Sequence, residues 1–386
     1  MKRKTSKAAP SGFAVFILKA IYGLITTTVC LLLTTGVLML ILIGGGISGQ
    51  TTKPAVVAHE IINRFDNFMT NSISVAAEGL LKIEKVFALT DSDQVAPEPD
   101  QSKFGTTYDV NSLQGILDAA KEQMEGQEML FNTQLPIFEG SEINYYLDDT
   151  IFAITWKQNI NNAIYTFSEV KIAHPSQIRR FLADGVFGSE KQYLTSEMAS
   201  SVNAVVASAG DFYKHRRSGL VVYNGKVEKF NVNSLDSCFI DDKGDLIFSK
   251  AREFKTQEEL QTYVDMNNIR FSLCFGPILI ENGQPAFPGY YPVGEIADKF
   301  SRAALCQLGE LHYLVVTAND EAPFRNFPNL YTFSNALIGM GITKAYTLDG
   351  GQTATIVMND RVINHVSYGA ERLISDIIYF ATAIPD

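Results

Sequence analysis

The chain reads as an α+β protein: a mixed-sheet domain with few helices over residues 140–386, preceded by an N-terminal transmembrane helix and a helical stalk. Three observations predict this. A run without one charged residue spans 20–47, just behind Lys2, Arg3, Lys4 and Lys7. Val56, Val57, Ile61, Phe65 and Phe68 then recur at helical spacing. From about Tyr145 onward, short β-branched and aromatic runs separated by glycine and Asn-Gly turns replace that pattern.

Taken in order, residues 1–12 form a basic tail and 13–47 the membrane helix. The uncharged run exceeds the roughly 20 apolar residues a bilayer core requires and the roughly 7–15 of a cleavable signal. The basic cluster on its N-terminal side keeps that end cytoplasmic, so the rest of the chain is expected outside. Residues 48–90 read as the stalk, and 91–105, polar and carrying two prolines, as a linker. Leu113, Ile116, Leu117, Ala120 and Met124 mark an amphipathic helix within a lead-in at 106–139. In the main domain, strands are expected around 151–156, 163–167, 204–207, 220–223 and 311–317. A helix opens at Thr256 with Glu259 three residues on, a capping box, and another ends at Gly341.

The bulk numbers narrow the function. The chain has 386 residues, 46% hydrophobic and 19% charged, with a net charge of −10. A nucleic-acid role is disfavoured, because phosphate backbones call for clustered Lys and Arg. Cys238, Cys274 and Cys306 lie beyond the span; Cys274 and Cys306 fit either one disulfide or two buried thiols. No zinc-like spacing occurs.

Chemistry is best sought at Asp349-Gly350-Gly351, where an apolar strand runs into two glycines that permit close approach to the backbone. A plain Asp-Gly hairpin turn is the alternative. Gly210-Asp211 ends another apolar strand beside Phe212 and Tyr213, and a carboxylate flanked by rings suits a sugar. Packing in the core explains the same rings equally well. Arg302 opens a strand, where a guanidinium can grip a phosphate through two parallel hydrogen bonds, or simply face solvent. Asn364, His365, Glu371 and Arg372 follow closely after the glycine pair.

In this order, the strand with Gly-Asp-Phe-Tyr, Gly-Leu-Val-Val-x-Asn-Gly, Phe-Gly-Pro-x-Leu-x-x-Asn-Gly, Ser-Arg-x-Ala, Leu-Asp-Gly-Gly-x-Thr and a late Glu-Arg resemble the phosphodiester glycosidase family. The resemblance covers about residues 140–386. It implies a glycosidase hydrolysing a sugar-1-phosphodiester of the N-acetylglucosamine-1-phosphodiester type, in cell-envelope or exopolysaccharide metabolism. Carried over, it assigns catalysis to Asp349 and Arg302, with Asp211 or Glu371 as second carboxylate. Gly210, Tyr213, Gly350, Gly351, Thr353, Asn364 and Arg372 are then expected to bind substrate. Ala209 stands where members commonly have Asn, Gln352 where they have a small residue, and Ala303 where they have Thr. No cofactor is required, although acidic residues and carbonyls around Asp349 are suited to Ca2+ or Mg2+. The competing reading is a non-catalytic polysaccharide-binding or assembly module of the envelope. The partners expected are a carbohydrate phosphodiester or polysaccharide and, through the one helix, a membrane.

Overall fold

The structure, a computed structural model, describes residues 95–383 apart from 125, 212, 232, 233 and 293–295. The basic tail, membrane helix and stalk expected over 1–90 lie outside the described residues. Among the described residues no helix is long and apolar enough to cross a membrane.

Three sheets organise the domain. The largest has nine strands, in the order Phe104–Thr107, Ile143–Leu147, Ile151–Ile160, Ala163–Ile172, His312–Asn319, Arg302–Gly309, Ala345–Leu348, Ile278–Glu281 and Gln284–Pro285. A five-stranded sheet runs Leu246–Ser249, Ser237–Ile240, Phe271–Leu273, Gly219–Tyr223 and Lys226–Asn231. A second one runs Arg361–Val362, Ile356–Met358, Val206–Ala209, Asp376–Phe380 and Ile178–Leu182. The expected mixed sheet is corrected here, since the pairings within all three are antiparallel. The helices Thr195–Ser201, Gln257–Met266 and Leu330–Gly339 each link two strands of one sheet that have a third, antiparallel strand lying between them.

Period-two patterning decides where the cores sit. Phe152, Ile154 and Trp156 point to one side of the large sheet, with Leu314, Val316 and the helix residues Leu117, Leu260, Phe333 and Leu337. Ile151, Ala153, Val315 and Leu305 point to the other, against Val206, Ile356, Ile378 and Phe380 of the second five-stranded sheet. With both faces of the large sheet covered, Ala163–Ile172 is buried at every position, and its charged members are satisfied internally, Glu169 by the Leu130 and Phe131 N–H groups and Lys171 by donating to the Glu310 carbonyl. The far side of that five-stranded sheet packs Ala207, Ile377 and Tyr379 on Met198 and Ala199 of the short helix Thr195–Ser201.

Local signals place several elements. Asn224-Gly225 and Asn282-Gly283 both take positive φ, as tight two-residue hairpins require. Thr256 accepts from the Glu259 N–H at 3.1 Å and opens the helix Gln257–Met266. Gly341, at φ +87°, follows the helix Leu330–Gly339. The lead-in is less helical than its periodicity suggests, with α-helix only over Gln114–Lys121. Beyond it the backbone is claimed by a buried carboxylate instead: Glu169 accepts from the Leu130 and Phe131 N–H groups, both at 2.7 Å. Likewise the end of the expected linker is a strand, Phe104–Thr107, paired with Ile143–Leu147.

Candidate active site

The site grows from the register of two neighbouring strands. Leu348 faces Ala303, so the next residue on one strand, Asp349, and the preceding one on the other, Arg302, emerge at the same sheet end. Gly350 is required there because a Cβ would sit 2.6 Å from the Ser301 carbonyl oxygen. Gly351, at φ +62°, donates its N–H to that same carbonyl at 2.8 Å. The chain then winds into a 3-10 turn, Gly351–Thr353, closed by the Thr353 hydroxyl donating to the Gly350 carbonyl at 2.6 Å. It does not pair back as a hairpin, since the next strand, Ile356–Met358, belongs to a different sheet.

Asp349 and Arg302 line one cleft of about 190 Å³, with Phe275, Phe300, Ser301 and the two glycines. Arg302 is largely buried, its guanidinium carbon 5.6 Å from the Phe300 ring centre and its Nη2 donating to the Asp298 carbonyl at 2.6 Å. Burial pushes the Asp349 carboxyl up to about 7, opposed by the Thr353 hydroxyl and Arg372 and reinforced by Asp211 and Asp376. A carboxyl poised near neutrality is suited to proton transfer. Among the described residues lining the cleft, Asp349 is the one acid.

The remaining expected residues divide. Thr353 and the solvent-exposed Arg372 act on Asp349 electrostatically, as just described. Gly210 sits beneath the site, its carbonyl accepting from the Asp349 N–H at 3.3 Å. It touches no open space: a Cβ there would come within 3 Å of the Asp376 carboxylate, at 2.4 Å from Oδ2. Asp211 is a correction to the expected second carboxylate. It is gripped by Arg216 through Nη2 at 2.6 and 2.5 Å, lies 3.5 Å from Arg180 Nη2, and accepts from the Cys274 N–H at 2.9 Å. The Arg216 and Arg180 guanidinium groups, working against burial, hold its carboxyl below the usual range. Tyr213, expected to touch substrate, is buried against Phe187 and beneath Arg180, whose guanidinium carbon is 5.6 Å from its ring centre. Its neighbour Phe212 lies outside the described residues.

Glu371 is also redirected. Its two oxygens accept from the Ser196 N–H at 3.0 Å and the Ser196 hydroxyl at 2.6 Å, which ties it to the start of the helix Thr195–Ser201. An acid is stabilised there by unpaired N–H groups and the helix dipole. Glu371→Ala is therefore expected to cost about 1 kcal/mol, read as a lower urea midpoint, and to leave the cleft intact. Asn364 is a backbone staple: it accepts from the Ile356 N–H at 2.7 Å and donates to the Ala354 carbonyl at 2.8 Å and to Asn319 Oδ1 at 3.0 Å. His365 faces Asp320 at 3.8 Å. Cys238, Cys274 and Cys306 are buried thiols outside any disulfide.

Sequence reading missed the ion-paired floor under Gly210. Arg180 donates to Asp376 Oδ2 from Nε at 2.9 Å and lies 2.8 Å away through Nη2, while the Asp211 N–H reaches the same oxygen at 3.1 Å. The available signal was Arg179-Arg180, two consecutive arginines inside an apolar strand and both fully buried. Among the described residues no group of three or more His, Cys, Asp or Glu is arranged to hold a metal ion.

Residues 202–381 match the family model described as phosphodiester glycosidase, a stretch that contains the whole cleft. The chain carries a phosphodiester glycosidase domain. The fold is similar to the catalytic domain of zebrafish N-acetylglucosamine-1-phosphodiester alpha-N-acetylglucosaminidase auto-inhibited by its pro-peptide. That likeness has a TM-score of 0.48 at 15% identity and covers 60% of this chain and 82% of the other. A hypothetical protein from Synechocystis is similar at a TM-score of 0.43 and 11% identity, over 60% of this chain and 62% of its own. No curated protein matches. Within the phosphodiester glycosidase domain, the family match spans both arms of the site: the strand that ends at Asp349 and the one that opens with Arg302.

Proposed function

We propose that the chain is a membrane-anchored, extracytoplasmic glycosidase hydrolysing a sugar-1-phosphodiester of the N-acetylglucosamine-1-phosphodiester type, in cell-envelope or exopolysaccharide metabolism. The observation that carries the reading is the meeting of Asp349 and Arg302 in one cleft inside the family-matched region. The uncharged run at 20–47 behind a basic cluster supports the anchor.

The residues divide the reaction simply. Water adds its oxygen to the anomeric carbon, and Asp349 accepts the proton that water loses. The bond from that carbon to the bridging phosphate oxygen breaks, and its electron pair leaves with the phosphate monoester. Glycosidases ordinarily add a second carboxyl to protonate the leaving oxygen. A phosphate leaves as a stable anion, so charge neutralisation by Arg302 replaces that acid. This accounts for a cleft with one carboxyl and one guanidinium.

The test uses the purified full chain and N-acetylglucosamine-1-phosphate methyl diester, following free sugar. Arg302→Ala is expected to lower kcat/KM by about a hundredfold or more, and Arg302→Lys to restore only part of it, since a point charge lacks the bidentate fork. Binding of the diester without turnover by the unaltered chain would instead favour a polysaccharide-binding module.

A further inference from the structure

A cavity of about 860 Å³ lies at the other end of the large sheet, inside the roughly 300–1,000 Å³ typical of ligand sites. It forms where the strand Arg302–Gly309 ends and where Thr343 and Lys344 lead into Ala345–Leu348. Arg302 and Gly309 stand at opposite ends of that strand, about 23 Å apart at the usual rise per residue, so this space is separate from the cleft. Four carboxyls line it. Asp241, Asp242 and Asp245 come from the turn between Ser237–Ile240 and Leu246–Ser249, and Glu310 from the hairpin beyond Gly309. Against them stand the ammonium groups of Lys243 and Lys344 and the His174 ring. Lys344 is already engaged, donating to Gln307 Oε1 at 3.1 Å with its Nζ 5.8 Å from the Phe248 ring centre. The proposed reaction uses none of these residues.

One of the four acids is held differently from the rest. Asp241 is only 8% exposed, and its Oδ1 accepts from the Lys243 N–H at 3.0 Å and the Asp245 N–H at 2.8 Å. Among the described residues no group donates to its Oδ2. Burial raises this carboxyl above the usual range; the two N–H bonds oppose the rise, and Asp245 and Asp242 reinforce it. A buried carboxylate oxygen without a donor is costly until a cation reaches it. Around it the lining turns apolar, through Leu246, Ile247 and Leu308. The kind of cation follows from the geometry. Among the described residues no three acids gather into a metal-binding set. With Oδ1 already holding two N–H groups, Asp241 does not offer a guanidinium the two parallel acceptors of a bidentate pair. An ammonium is satisfied by one such oxygen, while the stem that carries it packs on apolar surface. We infer that this cavity is a second ligand site, taking a primary ammonium on an apolar stem, as in lysine or an alkylamine, at Asp241 Oδ2. It stands independently of the glycosidase reading.

Calorimetry on the purified full chain tests it with three probes. They are hexylamine, the peptide N-acetyl-Leu-Lys-Leu-amide, and the same peptide with norleucine for lysine, which keeps the stem and removes the charge. The lysine peptide is expected to bind about tenfold or more tighter than the norleucine peptide. Asp241→Asn keeps the Oδ1 acceptor its turn needs and removes the charge, so it should weaken the lysine peptide about tenfold. Asp349→Asn, at the far end of the sheet, should leave that binding within about twofold. Should Asp241→Asn fail to fold, Asp242→Lys on the exposed lip decides in its place, with severalfold weaker binding expected. Lysine peptide at least about tenfold tighter than hexylamine would assign the site to a polypeptide partner, and equal binding to a free amine; both uphold an ammonium site. Equal binding of the lysine and norleucine peptides, no binding of either amine up to about 1 mM, or a loss in Asp349→Asn but not in Asp241→Asn would overturn it.

Discussion

Asp349→Asn is expected to abolish turnover and, at the same time, to raise the melting temperature at pH 8. Burial holds this carboxyl at about 7 against an ordinary value of 3.8. Between those two values the folded chain keeps a proton that the unfolded chain has lost. Stability therefore falls as pH rises from about 4, and levels off once the folded group has ionised above about 7. The full shift corresponds to a ceiling of about 4 kcal/mol, and a half-buried carboxyl recovers only part of it on neutralisation. Asparagine preserves the shape and removes the charge, so a gain of about 2–8 °C is expected at pH 8, with none at pH 3.5, where both side chains are neutral. Paired melting curves at the two pH values check this. The rate has the matching signature: a group that accepts the water proton must be ionised, so kcat should rise through an apparent pKa near 7. A rate that falls through the same value would make Asp349 a proton donor and undo the assigned step. Cost to the fold and benefit to the chemistry come from one cause, the removal of water from the carboxyl.

What could be read from the chain, and what could not, follows the range of each interaction. The two Asn-Gly hairpins, the Thr256 cap and the glycine after the Leu330–Gly339 helix are decided by neighbours a few residues away. Asp349 and Arg302 were both legible, because glycines after a strand and an arginine at a strand entrance are local signs of exposed chemistry. The supporting residues were not. Glu371 and Ser196 are 175 positions apart, and Arg180 and Asp376 are 196 apart. Asp211 looked like a site acid because its context, a strand end with aromatic neighbours, is the same for a catalytic carboxylate and an ion-paired one; only its place between Arg216 and Arg180 separates the two. Phe275 was legible only as the first residue of the Phe-Gly-Pro motif, yet it lines the cleft.

The largest expected loss of stability belongs to Arg180→Met. Arg180, Asp376, Asp211 and Arg216 are all buried, two cations against two anions, and a matched set of this kind is nearly neutral beside an apolar core. Removing one member is a different matter, since it leaves a carboxylate without its counter-charge. Asp376 is the group exposed to that change: burial already raises its carboxyl to about 6 even with Arg180 in contact, and its Oδ1 has no hydrogen-bond partner. The loss is expected to be about 3–5 kcal/mol, or roughly 6–20 °C in melting temperature for a domain of this size. The second variant, Arg180→Met with Asp376→Asn, removes the stranded charge and should recover more than half of the loss; a double-mutant cycle in urea measures the coupling. Turnover should not recover in parallel. The Asp376 backbone carbonyl accepts from Gly210 at 3.1 Å, Gly210 in turn accepts from the Asp349 N–H, and Asp376 Oδ2 fills the space left by the missing Cβ of Gly210. The floor thus sets the height of Asp349 in the cleft as well as its field. A double variant that regains its melting temperature but not its kcat would show that these buried charges position the reaction. One that regains both would reduce them to ballast.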